Sequence, residues 1–126
     1  MARERILPLA AGALLLGGTV HTHTSIRGDA APALHPVLRK LIDDLPAEQR
    51  ERFAGRCAET VLISDRLYAA EETPGSLTAM AARSLLWGAV VQVVRVREDG
   101  DPLNGKPQPP CRTCSALFDY FGIEAA

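Results

Sequence analysis

The sequence is poor in cysteine, in aromatic residues and in net charge, and each shortage excludes a class of protein. Its 126 residues include three cysteines, and an odd count excludes a fully paired disulfide framework. Three Phe, two Tyr and one Trp are too few for extended platforms that stack nucleic-acid bases. A net charge of −1 argues against a broadly basic surface that coats nucleic acid, although a local basic groove stays open.

The sequence also has no apolar run long enough to cross a membrane, and this holds for its N-terminal stretch. Arg3 and Arg5 precede an apolar stretch up to Leu16 that imitates a secretory signal. The stretch is too short for a transmembrane helix, so we expect no membrane partner. Gly17-Gly18 separates two β-prone runs, which is typical of a two-residue hairpin loop, and no convincing cleavage site follows. The sequence therefore predicts a β-hairpin over residues 10–24 and not a cleaved signal.

The length and the hydrophobic content of 47% suit one soluble globular domain over residues 1–126. Hydrophobic periodicity predicts helices over 34–45, 56–70, 77–86 and 111–121, a strand over 88–97, and a short last strand at Ile123. The strand over 88–97 is so rich in valine that we expect cover on both of its faces. Helices between strands of one sheet predict an α/β layered domain.

All three cysteines fall in two short motifs, one of which also carries a carboxylate. The motifs are Cys57-Ala58-Glu59 and Pro110-Cys111-Arg112-Thr113-Cys114. Three thiolates suit tetrahedral Zn²⁺ and leave its fourth position open for water, as in catalytic sites. A carboxylate beside that water can shuttle protons. We therefore interpret Cys57, Cys111 and Cys114 as zinc ligands and Glu59 as the acid–base residue.

The spacing within each motif makes geometric sense if both motifs open helices. In the middle of a helix Cys57 and Glu59 would point nearly opposite ways, because two residues turn by about 200°. In the first turn both side chains can lean toward a site that caps the helix. Cys111 and Cys114, three positions apart, then share one face of a second helix start. Helix N-termini also lower the pKa of thiols, which favours metal binding.

Two less specific interpretations compete with a catalytic zinc site. A lone C-x-x-C motif is also found in redox sites and among core residues. Two motifs that together use every cysteine, one of them with a carboxylate, are less expected by chance than a lone C-x-x-C motif and favour the metal. The second competitor is a small zinc-stabilised binding module without catalysis. Glu59 argues against it, because a structural site has no need of a carboxylate two residues after a ligand.

The two motifs, and the order of hairpin, motif helix, strand and second motif helix, resemble the cytidine deaminase-like superfamily. With Cys in the first ligand position, Gly55-Arg56-Cys57-Ala58-Glu59 looks most like the YwqJ-type bacterial deaminases, which are often toxin domains. The resemblance covers about residues 10–122. It implies a three-layer α/β/α fold with a central mixed sheet that starts in the N-terminal hairpin.

The resemblance also implies an activity and a set of partners. The activity is zinc-dependent hydrolytic conversion of cytosine to uracil in nucleic acid, with single- or double-stranded DNA as the expected substrate. A toxin domain would act in the cytoplasm of a target cell after delivery, and an immunity protein would be its partner. The near-neutral charge favours an alternative, which is a deaminase of free cytidine or nucleotides.

Five further residues are candidates for substrate binding. The resemblance implies that the backbone N–H of Ala58 contacts the base. His21 and His23 alternate onto one face of the second strand, where they would either line the base pocket or serve the structure. Ser25 is a candidate for a hydrogen bond to a sugar. Trp87, beside the valine-rich strand, is interpreted as a core or pocket-rim residue that could stack on a base.

Overall fold

The structure, a computed structural model, describes residues 10–24, 33–50 and 57–126. The elements follow in chain order as β1 (Ala10–Leu16), β2 (Thr19–Thr24), α1 (Pro36–Asp44), a 3₁₀ turn (Ala47–Gln49), α2 (Ala58–Ala70), α3 (Ala79–Leu86), β3 (Val90–Arg95), α4 (Arg112–Phe121) and β4 (Glu124–Ala125). Most bounds differ by only a residue or two from the predicted spans, which is the usual uncertainty of element ends.

The N-terminal hairpin forms where the sequence predicts it. Gly17 and Gly18 have φ angles of 57° and 81°, and a tight two-residue loop with two positive φ angles needs residues without a Cβ. The register pairs Leu16 with Thr19 directly across this loop. The prediction of a hairpin over residues 10–24 is confirmed.

The strands form one four-stranded mixed sheet in the order β2-β1-β3-β4. β1 runs antiparallel to both β2 and β3, whereas β4 runs parallel to β3. A mixed sheet that starts in an N-terminal hairpin and packs with helices confirms the α/β fold class, and it is consistent with the three-layer fold. That residues 1–126 form a single domain stays a prediction.

β3 is fully buried on one face and partly buried on the other. Val91 and Val93 belong to the core, with 2% and 6% of their surface exposed. Gln92, which points the other way, is exposed. Leu15 and Val20 are also exposed, at 44% and 60%. Val90 and Val94, on the same face as Gln92, are half-buried, so the prediction of cover on both faces of this strand is confirmed in part.

α2 is buried almost all round and lies close against β1. Its buried residues are Ala58, Glu59, Thr60, Val61, Leu62, Ile63, Ser64 and Leu67. A Cβ on Gly12 of β1 would lie only 3.1 Å from Ala58 Cβ, so glycine permits this close approach. Among the helices of the described ranges, none combines the length and the apolar character that a bilayer crossing needs.

α4 is anchored at both ends. At its start, Thr113 Oγ1 donates to the carbonyl of Gln49 at 2.9 Å, and the Arg112 guanidinium donates to the carbonyl of Glu48 at 3.0 Å. At its end, Gly122 has a left-handed φ of 68° and its N–H donates to the Phe118 carbonyl. These contacts hold the start of α4, with the second cysteine motif, against the 3₁₀ turn.

Candidate metal centre and active site

The three cysteines converge at the starts of α2 and α4. Cys57 and Cys111 are the N-cap residues of these helices, and Cys114 is the third residue of α4. The three Sγ atoms all lie within 4.8 Å of one another, and Cys57 Sγ is 3.9 Å from Cys111 Sγ. Zn–S bonds of about 2.3 Å in a tetrahedron separate the sulfurs by about 3.8 Å. The donor type and the spacing therefore fit a metal ion held by three thiolates.

Hydrogen bonds among the three sulfurs shift the pKa values of the thiols in different directions. Cys111 Sγ also accepts from the backbone N–H of Cys114 at 3.4 Å. Hydrogen bonds from the thiols of Cys114 and Cys57 lower the pKa of Cys111 to about 3. The same contacts with Cys111, together with burial, raise the pKa values of Cys57 and Cys114. Because metal ligands are deprotonated thiols, loading a metal on this cluster releases protons.

Glu59 is the second residue of α2 and is 2% exposed. Its carboxyl interacts electrostatically with Cys111 and Cys114, so it lies next to the sulfur cluster. Burial raises the pKa of Glu59 above its ordinary value, since removal from water disfavours the charged form. The position beside the cluster suits a group that exchanges protons with a molecule bound there.

A cavity of about 330 Å³ opens beside Glu59. Its other lining residues are Val91, Val93, Pro107, Gln108, Pro109, Pro110, Phe118, Ala125 and Ala126. The side chains of Glu59 and Gln108 are the polar ones in this lining. An apolar cavity with a few polar groups is typical of sites for small molecules or single rings.

Comparison with known proteins assigns this arrangement to a family. A family model described as YwqJ-like deaminase matches residues 1–123. The chain belongs to the YwqJ-like deaminase family. The resemblance predicted from the motifs is thereby confirmed, and a deaminase is an enzyme. Neither the curated proteins nor the solved structures gave a match.

The structure of this YwqJ-like deaminase places the other predicted substrate residues at different distances from the cavity. Ala58 is fully buried beneath Gly12 at the start of α2, directly between Cys57 and Glu59 in the chain. His21 and His23 are half-buried on β2, and neither lines the Glu59 cavity. His23 instead lines a separate groove of about 390 Å³ on the sheet.

Trp87 lies at the far end of α4 from the cysteines. It is the C-cap residue of α3, is 60% exposed and packs its ring against Gly122. The guanidinium of Arg83 lies 5.3 Å from the centre of the Trp87 ring. Since α4 has ten residues, about 15 Å of helix separates Gly122 from the start of α4. The structure thus does not bring Trp87 to the site, and the predicted Ser25 lies outside the described residues.

The loop before Cys111 was expected to mark the start of the second motif helix, and no part in the site was predicted for it. Pro107, Gln108, Pro109 and Pro110 line the Glu59 cavity and close one side of it. The signal that could have found them is their position, because they directly precede Cys111. Prolines on both sides of Gln108 also restrict the backbone, which suits a wall with a fixed shape.

Proposed function

We propose that this deaminase converts cytosine to uracil in DNA by hydrolysis and that Cys57, Cys111 and Cys114 hold a Zn²⁺ ion for this reaction. The observation that carries the proposal is the position of Glu59, which shares the first turn of α2 with the Cys57 ligand of the sulfur cluster and also lines the cavity. Zn²⁺ bound by three thiolates would activate a water molecule at neutral pH. The family match supports the reaction class, and the motif pattern of zinc deaminases supports the metal.

Glu59 is the proton carrier in the proposed reaction. It takes a proton from the attacking water and delivers it to N3 of the ring, and it then moves the second proton, from the hydroxyl now on C4, to the departing amino group. The bond from C4 to the water oxygen forms, the bond from C4 to N4 breaks, and ammonia leaves. One water molecule is consumed and Glu59 returns to its starting state. Burial of Glu59 beside the cavity keeps bulk water away from these transfers.

The test compares two substitutions that separate catalysis from metal binding. Glu59→Gln keeps the size of the side chain and removes its basicity, so we expect a rate loss of roughly 10²–10⁴-fold with metal content unchanged. Cys111→Ser should lose metal and activity together. Glu72→Gln, at an exposed position, is the matched control and should behave as the wild type. Uracil formation in a cytosine-containing oligonucleotide and elemental analysis supply the two measurements.

The outcomes of this test discriminate between the interpretations. A Glu59→Gln variant that deaminates at nearly the wild-type rate would show that the carboxylate is not the proton carrier. A variant that loses its metal would make Glu59 a ligand, and a zinc-stabilised binding module would then be favoured. Assays on single- and double-stranded oligonucleotides show which form of DNA is used.

One observation favours a second substrate class. The net charge of −1 gives the chain little general attraction for a polyanion, which suits free cytidine or nucleotides. Release of uridine from cytidine at a higher kcat/KM than from an oligonucleotide would support this alternative. If DNA is the substrate, we propose that the domain acts as a delivered toxin in the cytoplasm of a target cell and is neutralised by an immunity protein, as the resemblance implies.

A further inference from the structure

We propose that Gln108 determines the specificity of this site by donating a hydrogen bond from its side-chain amide to O2 of the cytosine ring. The inference rests on the proposed function and names the group that selects the base. Gln108 and Glu59 carry the polar side chains of the cavity lining. Two such groups facing one cavity of about 330 Å³ can engage different atoms of the same ring.

The backbone of Gln108 is fixed to the sheet. Its N–H donates to the Val93 carbonyl of β3 at 2.8 Å. The preceding residue, Pro107, pairs with Val94 in an antiparallel bridge. One step further back, the Arg95 N–H donates to the carbonyl of Lys106 at 2.8 Å. The loop thus continues the sheet beside β3, so Gln108 is positioned before any substrate arrives.

The side-chain amide of Gln108 has no hydrogen-bond partner among the residues that the structure describes. Gln108 is half-buried, and the neighbouring wall of the cavity is made of proline and valine side chains. The amide is open to water, because the buried side-chain polar atoms without a partner in the described ranges include Arg66 Nε and neither amide atom of Gln108. A ligand that fills the cavity displaces this water and has to replace it as hydrogen-bond partner. The amide therefore marks the point on the cavity wall where a polar atom of the ligand is expected.

The chemistry of cytosine identifies that atom. Its pairing edge presents the N4 amino group, N3 and O2. In the proposed reaction N4 leaves and N3 receives its proton from Glu59. O2 is therefore the atom of this edge that can hold a hydrogen bond with Gln108 throughout the reaction. O2 only accepts hydrogen bonds, and the amide NH₂ of Gln108 is a donor. A ring that lacks an acceptor at this position would leave the amide unpaired, which is how a site rejects the wrong base.

The first experiment replaces Gln108 and measures steady-state kinetics. Gln108→Leu and Gln108→Glu both remove the donor, and the second keeps the shape of the side chain. We expect kcat/KM for the cytosine substrate to fall about 10-fold, the value of one hydrogen bond of about 1.4 kcal/mol. The loss should appear mainly in KM, because the hydrogen bond exists in both the bound substrate and the transition state. Gln92→Leu, an exposed glutamine on β3, is the matched control.

The second experiment removes the partner atom from the substrate. A cytosine analogue without the 2-oxo group should bind about 10-fold more weakly than cytosine to the wild type, and equally well to Gln108→Leu. Binding to variants that also carry Glu59→Gln provides this measurement without turnover. Metal content and melting temperature, unchanged in Gln108→Leu, would exclude a merely structural effect.

Each outcome has one consequence. If the wild type deaminates cytosine and Gln108→Leu does so with the same kcat/KM, the inference is overturned and the proposed function stands. The same follows if the 2-oxo group matters equally in both proteins. If the wild type deaminates no cytosine substrate, the proposed function fails and takes the inference with it.

Discussion

Gly12 is the position where a single added methyl group should disturb the site from a distance. It lies on β1, and a Cβ there would be 3.1 Å from Ala58 Cβ and 3.1 Å from Leu62 Cδ1. Carbon atoms in good contact are about 3.5–4.0 Å apart, so Gly12→Ala closes both gaps by roughly half an ångström too much. Leu62 can rotate its side chain, whereas the Ala58 Cβ moves only with its helix backbone.

The expected consequence is a small shift of the start of α2, and with it of Cys57. Overpacking of this kind costs about 1–3 kcal/mol of the free energy of unfolding. In a domain of this size that lowers the melting temperature by about 4–12 °C. Metal sites tolerate changes in ligand distance of only about 0.2 Å, so the affinity of the three cysteines for a metal ion should fall as well. Gly12→Ala therefore links a strand substitution to metal retention.

Thermal unfolding and competition with a chelating dye measure the two effects. The control is the double variant Gly12→Ala/Ala58→Gly, which removes the opposing methyl group and should regain most of the stability and the metal affinity. Ala58→Gly alone gives the reference for this comparison. An unchanged melting temperature and metal affinity in Gly12→Ala would refute the close approach. A double variant no better than the single one would show that Ala58 is not the obstacle.

Three further predictions concern the helix ends and the metal. A Cβ at Gly122 would overlap the Trp87 ring, whereas a Cβ at Gly75 would meet open space, although both residues have a positive φ angle. Gly122→Ala should therefore lower the melting temperature more than Gly75→Ala. The Leu77 N–H, which donates to Glu71, is the main cause that lowers the pKa of this carboxyl. The hydrogen-bonded Glu71 carboxylate therefore stabilises the protein fully above the ordinary pKa of a carboxyl group, and this stabilisation is lost as the pH falls through the lowered pKa of Glu71. The free energy of unfolding of Glu71→Gln should accordingly change less with pH in the acid range. Protein with free metal at 1,000 times its Kd should have a free energy of unfolding about 4 kcal/mol higher than protein treated with a chelator. Unfolding by denaturant in the two conditions measures this difference.

The sequence predicted most of the fold because local signals and tertiary structure agree. The hairpin loop needs positive φ angles, which Gly17 and Gly18 adopt. Gly122 ends α4 in the left-handed conformation that glycine favours. α1 shows where such signals stop. Its predicted start was Leu34, but the helix begins at Pro36, because the ring nitrogen Nδ1 of His35 accepts from the Val37 N–H and caps it. Histidine is not among the usual N-cap residues, so sequence rules did not indicate it.

The convergence of the three cysteines was predictable from the resemblance of the paired motifs to those of zinc deaminases, while the cavity wall was not. Glu59 and the sulfurs belong to short motifs at helix starts, whose geometry local rules describe. Gln108 reaches the cavity because the loop pairs with β3, and the bridge between Val94 and Pro107 has no sequence signature. The position of Trp87 also depends on a tertiary contact that the sequence does not indicate. Its neighbour in the chain is β3, but its ring packs at the far end of α4.

The same sheet positions both groups proposed to act on the substrate. Glu59 is placed through α2, whose start is set by its approach to Gly12 on β1. Gln108 is placed through its hydrogen bond to Val93 on β3. Gly12 and Val93 are direct partners in the ladder between β1 and β3, so one pair of residues sets both distances. A one-residue slip of this register would reverse the faces of the strand and move the proton carrier relative to the base-selecting amide. The N-terminal hairpin, which carries β1, therefore helps to position the proposed active site even though its histidines do not line the cavity.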